Sequence, residues 1–369
     1  MPESAPVTIP ARCDRIPSVS PVDFIRVSTT RCGGDHAPRL AMTAPRQRPF
    51  VVARDHGPLP ETLRHAVVAI GNFDGFHRGH RAVIAAAIAR ARAASRSAAV
   101  LTFEPHPRSY FQPQAPSVRL SSEAGKLRLL AATDLDGAIV LNFDAALASL
   151  TAEEFISRIL IDRLAIAGAV IGFNFHFGKA RAGTPDFLIA QGAQRGFTVD
   201  VVPPFELAGR RVSSGAIRDA LAGGHVAEAA ELLGYPWFVT AQVVHGDKRG
   251  RELGYPTANL RLDPECGLQH GIYAVRIGVG GQLYDGVASF GRRPMFDSGA
   301  VLLEVFLFDF SGDLYGAVLD VAFIAWIRHE LKFDSVEELI RRMDEDSRLA
   351  RAALARAPGA FPSLGVPAN

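Results

Sequence analysis

The sequence predicts two folded parts in series: an α/β part on a doubly wound parallel sheet, then an antiparallel β-barrel with a terminal helix. Three observations point there. Between about residues 50 and 205, short apolar runs alternate with helical stretches, the pattern of a parallel sheet with right-handed crossovers. Beyond Trp237 the texture changes to short, closely spaced strands with frequent glycines between them, which argues an antiparallel barrel. A chain of 369 residues also exceeds one comfortable hydrophobic core, so two domains are expected.

The elements follow in order. Residues 1–49 are rich in Pro, Ser and Arg and lack apolar periodicity, so a disordered extension is expected. That stretch has no apolar core of a secretory signal, and Glu3, Asp14, Asp23 and Asp35 interrupt its Arg-rich character. A translation start at Met42 would leave an ordinary short lead-in. The first domain is placed at 50–222. Ala66–Ile70 reads as a buried strand, and Arg81–Ala94, Ala-rich and free of Gly and Pro, as a helix. Ala98–Phe103, Gly137–Leu141, Ala167–Gly172 and Phe197–Val202 read as further strands, with helices over Ser122–Thr133 and Thr151–Leu164. Thr151 with Glu154 predicts a capping box.

Ser213–Leu221 and His225–Leu233 read as short helices broken by Gly223-Gly224, with 223–236 a helical connector. The second domain, 237–357, carries strands at Phe238–Val244, Ile272–Val279, Leu283–Phe290, Val301–Phe308 and Ala317–Ala325. A helix over Ser335–Leu354 closes it, with Val336, Leu339, Ile340, Met343 and Leu349 as its expected barrel-facing stripe. Residues 358–369 are left as a tail.

Composition narrows the function. The 40 basic and 38 acidic residues nearly balance at a net charge of +2 and are spread along the chain, so neither nucleic acid nor a membrane surface is the expected partner. Two of the three cysteines, Cys13 and Cys32, lie in the extension, leaving Cys266 alone in the body. No disulfide framework or metal-type spacing exists, which suits a reducing cytoplasm. No run of about 18 apolar residues could span a bilayer.

The chemistry gathers first at Gly71–His80, GNFDGFHRGH, between a strand and a helix. Such a junction presents backbone N–H groups to an anion. Gly71, Gly75 and Gly79 let the backbone approach a ligand, and His77 and His80 can donate charge-assisted hydrogen bonds to phosphate. The other reading is a turn whose histidines only cap the helix. A second anion site is Val212-Ser-Ser-Gly-Ala-Ile-Arg218, where Ser213, Ser214 and Arg218 open a helix; plain N-capping is its alternative. Both loops, with Phe103-Glu-Pro-His-Pro107 and Gly172-Phe-Asn-Phe-His-Phe-Gly178, bear on the carboxyl ends of strands, where ligands of such sheets bind.

GNFDGFHRGH followed by VSSGAIR resembles the paired signature of the nucleotidylyltransferase superfamily, and FEPHP and GFNFHFG resemble its flavin-adenylating branch. Gly246-Asp-Lys-Arg-Gly250 with Arg251-Glu-Leu-Gly-Tyr-Pro-Thr-Ala-Asn259 resembles riboflavin kinase, and no Walker-type motif is present. Gly286–Met295, Leu303–Gly316 and Ile327–Phe333 continue that likeness. The chain is thus similar, from about residue 60 to 355, to the bacterial bifunctional riboflavin kinase/FAD synthetases, with a Rossmann-like first domain.

The resemblance implies that ATP and Mg²⁺ convert riboflavin to FMN in the barrel, and that a second ATP adenylates FMN to FAD in the first domain. Thr257 and Asn259, two apart on an extended segment, share a face and suit Mg²⁺ with phosphate; a turn at Pro256 with an Asx-type hydrogen bond is the alternative. Glu304, an acid in an apolar strand, is implied to be the base that takes the riboflavin hydroxyl proton; a buried salt bridge is the alternative. Nucleotide contacts are implied at Gly71, Asn72, Phe73, Asp74, Gly75, Gly79, Asn174, Ser213, Ser214, Gly246, Gly250, Gly254 and Pro256, and flavin contacts at Phe103, Pro105, Phe175 and Arg293. His77, His80 and Arg218 are implied to stabilise the transferring phosphate.

The family often has Asn at Ser289 and Thr at Met295 and Gly215, so two hydroxyls and an amide are absent here. Two other functions compete: a riboflavin kinase with an inactive or altered first domain, and a non-catalytic flavin-binding regulator. Small-molecule substrates and a monomer or weak homo-oligomer are expected.

Overall fold

Strand β2, Val67–Ile70, is buried along its whole length. Val67 and Ala69 enter one apolar cluster, and Val68 and Ile70 the other. Alternating residues thus serve two covered faces, as a central parallel strand requires. The computed structural model describes residues 49–368 apart from 56, 113, 115–117, 246–253, 264–265 and 293–300. Residues 1–48 of the expected extension, and Gly246, Gly250, Arg293 and Met295, lie outside the described residues.

Around β2 run β1 (Phe50–Arg54), β3 (Ala98–Glu104), β4 (Gly137–Asn142), β5 (Gly168–Gly172) and β6 (Thr198–Val202). They pair in parallel in the order β1-β4-β3-β2-β5-β6. The expected doubly wound sheet forms, with β2 flanked by β3 on one side and β5 on the other. The loops after these three strands therefore converge on one crevice, at the switch in winding direction. The helix after β2 spans Arg78–Ala93, starting three residues earlier than its Ala-rich run suggests. His77 causes this: its Nδ1 accepts from the His80 N–H at 3.3 Å and caps the turn. The Thr151–Glu154 capping box forms with both hydrogen bonds present, at 3.0 and 3.1 Å. Beyond it the helix relaxes into a π-helical stretch, Phe155–Arg163, for which the sequence offers no signal.

A short hairpin, β7 (Glu206–Leu207) and β8 (Arg210–Arg211), precedes the helix Ser214–Ala222. Helix Val226–Leu233 then leads into the barrel: β9 (Phe238–Val244), β10 (Ala258–Arg261), β11 (Gly271–Val279), β12 (Gln282–Arg292), β13 (Val301–Leu307) and β14 (Val318–Arg328). The strands close antiparallel in the order β10-β13-β12-β11-β14-β9. The expected strands are found, joined by β10, which Asn259 and Arg261 disguise as polar loop.

The closing helix, Val336–Ala355, packs on β11, β12 and β14. Of the expected stripe, Leu339, Ile340, Met343 and Leu349 are half-buried, with Leu339 and Met343 facing the barrel across a cavity, but Val336 is left out. Val336 is 52% exposed, whereas Asp346, Ala350, Ala353 and Leu354 are buried. An ion pair sets this face: Arg328 of β14 donates twice to Asp346, at 2.7 and 2.5 Å. Small alanines beside it then let the helix approach closely.

Residues 358–368 return to the first domain. Gly365 N–H donates to the Arg128 carbonyl at 2.9 Å, and Pro367–Ala368 adds to β1 as a parallel edge strand, β15. Arg128 also grips Asp320 of β14 at 2.6 and 2.7 Å. One apolar cluster runs from the Arg78–Ala93 helix through Leu120 and Trp237 to Tyr273 and Phe323 inside the barrel.

Candidate active sites

The loop after β2 is held in a contorted path. Phe73, Gly75 and Phe76 have φ of 51°, 75° and 36°, a region costly for residues bearing a side chain. Both phenylalanines are 1% exposed, so burial holds them there. At Gly75 a side chain is excluded twice, because a Cβ would also lie 2.7 Å from Leu120 Cδ1.

Asp74 anchors this loop rather than facing a ligand alone. Its buried carboxylate accepts from the Leu120 and Ser121 N–H groups, each at 3.0 Å, and from Arg218 Nη2 at 2.5 Å. Arg218 Nε donates to the Val118 carbonyl, and Ser214 Oγ to the Asp74 carbonyl at 3.2 Å. Ser213 behaves as the simpler alternative has it, capping the Ser214–Ala222 helix through the Ala216 N–H.

A second buried assembly lies beside it. Lys126, 2% exposed, donates to Glu104 at 2.7 Å, to Thr102 at 3.1 Å and to the Asn72 carbonyl at 3.3 Å. Arg119 donates to both Glu104 oxygens at 2.7 and 2.8 Å. Lys126, Arg119 and Glu104 were not foreseen as site residues. Glu104 stands in the Phe103–Pro107 motif already noted, and Lys126, among the leucines of the helix expected over Ser122–Thr133, was the other signal.

These pieces surround a cleft of about 700 Å³ at the carboxyl ends of β2, β3 and β5. It brings together Gly71, Asn72, Phe73, Asp74, His80, Phe103, Asn174, Phe175, Ser214 and Arg218 on its lining. Gly75, His77, Gly79 and Ser213 stand behind that wall, and Pro105 is not among the lining residues. One side is aromatic: Phe103 meets Phe143 edge-on at 6.0 Å, and Phe175 stacks on Phe177 at 5.4 Å. The cleft thus joins an apolar wall suited to a flat ring to a polar wall rich in donors.

His77 and His80 stack at 3.6 Å between ring centres. Burial holds the His77 pKa down at about 4, with Asp74 opposing and Arg218 reinforcing the shift. Burial likewise holds His80 well below the ordinary range, with His77 and Lys126 adding repulsion. Both rings are therefore held neutral at pH 7 in the free protein, before any phosphate is bound. His80 Nδ1 is buried with no hydrogen-bond partner among the described residues.

A pH dependence of stability follows. The unfolded chain binds a proton at His77 below about pH 6.5, whereas the folded chain does not until about pH 4. Stability from the neutral ring is complete above pH 6.5 and is lost as pH falls toward 4. His77→Asn, which keeps a capping acceptor, is expected to lose less melting temperature between pH 7 and 5 than the wild-type protein. An equal loss in both proteins, followed by calorimetry, would contradict this.

In the barrel, alternation along β13 decides where Glu304 points. Val301, Leu303, Val305 and Leu307 fill the interior, leaving Leu302, Glu304 and Phe306 on the outer face. In register, Glu304 lies between Asn259 of β10 and Ser289 of β12, so the three share that face. Glu304, Ser289 and Thr257 line a cavity of about 290 Å³ under the closing helix. Thr257 and Pro256 also line a neighbouring cavity of about 370 Å³ against Phe310–Tyr315. Thr257 is common to both. Asn259 is 7% exposed, and its Oδ1 has no hydrogen-bond partner among the described residues.

Tyr255, also unforeseen, ties the approach to Thr257 onto the closing helix. Its hydroxyl donates to Asp344, and burial with that bond pushes its pKa up to about 12. Gly254, in the turn before it, has a φ of 82°.

A phosphate-type loop at the switch point of a parallel sheet, joined to a barrel with a carboxylate–hydroxyl–amide row, defines a two-site transferase of nucleotide and flavin chemistry. The chain matches the family model for FAD synthetase over residues 59–216 and that for riboflavin kinase over 233–354. It belongs to the bifunctional riboflavin kinase/FMN adenylyltransferase family. It is 41% identical to the enzyme of that name from Pseudomonas fluorescens, over 79% of this chain and 94% of the relative. The Escherichia coli K12 counterpart is 39% identical, over 77% and 91%. A crystal structure described as a macrolide-efflux protein from Streptococcus pneumoniae superposes with a TM-score of 0.72 at 32% identity, covering 82% of this chain and 99% of that one. Among the described residues, no helix is long and apolar enough to cross a membrane.

Proposed function

We propose that this chain phosphorylates riboflavin to FMN with ATP in its barrel, and adenylates FMN with a second ATP, giving FAD and pyrophosphate, in its first domain. The observation that supports the reading is the pair of sites on one chain. Glu304, Asn259 and Ser289 stand in one register row beside Thr257, and His80, Ser214 and Arg218 line the cleft under β2.

In the barrel, the Glu304 carboxylate accepts the proton of the riboflavin 5′-hydroxyl as the new P–O bond forms. Thr257, at the junction of the two cavities, holds the nucleotide phosphates together with Asn259 two residues on. Their hydroxyl and buried, unpartnered amide oxygen are hard donors that fit Mg²⁺, an ion that prefers few protein oxygens with phosphate and water completing its shell. Bound there, the ion would neutralise phosphate charge as phosphoryl transfer requires. In the first domain, the ionised FMN phosphate is its own nucleophile. His80, Ser214 and Arg218 stabilise charge on the α-phosphate, and Phe103 and Phe175 offer the flavin an apolar wall. The substrates are small molecules, and we place the reactions in the cytoplasm.

Incubation with riboflavin, ATP and Mg²⁺, followed by chromatography, is expected to show FMN first and FAD after it. A chelator should stop FMN formation, and added Mg²⁺ should restore it. FMN accumulating without FAD would leave only the kinase, and no flavin phosphate at all would leave only a flavin-binding protein.

A further inference from the structure

Tyr235 and Trp237 stand where the chain leaves the Val226–Leu233 helix for the barrel, and both are buried. Only Pro236 separates them, just before β9 begins at Phe238. Tyr235 Oη donates to the Gly75 carbonyl at 2.8 Å, and Trp237 Nε1 to the Leu120 carbonyl at 2.7 Å. Those two acceptors belong to the layers that build the first-domain cleft. Gly75 follows Asp74 in the phosphate loop, and the Leu120 and Ser121 N–H groups hold the Asp74 carboxylate that in turn holds Arg218. The layers are also tied to each other, since Gly75 N–H donates to Ser121 Oγ at 3.1 Å and Leu120 packs against Gly75. Trp237 itself is seated in the barrel core: its ring meets Phe323 of β14 at 5.2 Å, and Phe323 meets Tyr273 at the same distance.

We propose that Tyr235 and Trp237 are positioning residues for adenylyl transfer, supplied to the first-domain site by the segment that opens the kinase barrel. Through the Gly75 and Leu120 carbonyls they fix the backbone that aims Asp74 and Arg218 into the cleft. The proposal rests on reading that cleft as the adenylyl-transfer site. It makes the first domain chemically dependent on the second, although neither residue lines the cleft.

Tyr235→Phe, Trp237→Phe and the double variant test it. Tyr235→Phe keeps its ring and loses only the hydroxyl. Trp237→Phe loses the donor together with part of a ring packed on Phe323, so the kinase control carries most weight for that variant. In the full-length chain, kcat for FAD formation from FMN is expected to fall about 10-fold in each single variant and about 10²-fold in the double, the scale of a displaced catalytic group. The KM for ATP in that reaction should change less than kcat. Riboflavin kinase turnover, measured on the same preparation, reports the folded fraction and should stay within twofold of wild type. FAD formation within twofold of wild type in the double variant would overturn the proposal. So would a parallel fall of both activities with the melting temperature, which would mark the pair as purely structural. Wild-type protein that makes FMN but no FAD would instead remove the reading of the cleft, and the proposal with it.

Discussion

Glu304→Gln is expected to lower riboflavin kinase kcat by about 10²–10⁴-fold, the range general-base catalysis supplies, while FMN supplied directly is still converted to FAD. The strand geometry makes this a clean substitution. Glu304 stands on the outer face of β13, on the wall of the cavity it shares with Thr257 and Ser289, and the interior residues Leu303 and Val305 are untouched by the change. Glutamine keeps the volume and the hydrogen-bonding oxygen but cannot take a proton from a hydroxyl. If the carboxylate served only an ion pair, the variant would melt earlier and keep its specific kinase activity in the folded fraction. Thermal unfolding measured beside both turnover rates separates the two, and near-normal kinase turnover in a stable variant would exclude the base role.

His80→Ala is expected to cut FAD formation by about 10²–10³-fold, the loss typical of one donor to a developing oxyanion, and to leave FMN formation unchanged. The ring stacks on His77, meets Phe73 edge-on at 5.3 Å and lines the cleft. Its Nδ1 has no hydrogen-bond partner among the described residues, so its removal strands no partner of that nitrogen. In the free protein, burial with His77 and Lys126 beside it holds the ring's pKa down. FAD formation within threefold of wild type would show that Ser214 and Arg218 suffice without it.

Much of this arrangement was legible in the chain itself. The apolar runs at Ala66–Ile70 and Ala98–Phe103 read as buried strands and are found as such, and the glycine-rich loop was read at the junction of strand and helix where it lies. Local capping was readable too, as Thr151 and Glu154 show, because a capping box needs only residues three apart. The kinase motif around Thr257 and Asn259 carried its own alternation, which is why its two donors were placed on one face before any fold was known.

What the sequence determined by itself is therefore local: strand and helix periods, the two glycine-rich turns, and the residue types each turn offers. What tertiary structure decided is everything that depends on who lies across from whom. The neutral resting state of His77 and His80 comes chiefly from burial, with the Arg218 and Lys126 charges supplied by segments far along the chain. Asp74 became an anchor because Leu120, Ser121 and Arg218 converge on it. The closing helix seats Asp346 on Arg328, a pairing that hydrophobic periodicity does not record. Periodicity records which residues avoid water, but desolvation, ion pairing and backbone aim are set by neighbours that only folding brings within a few ångströms.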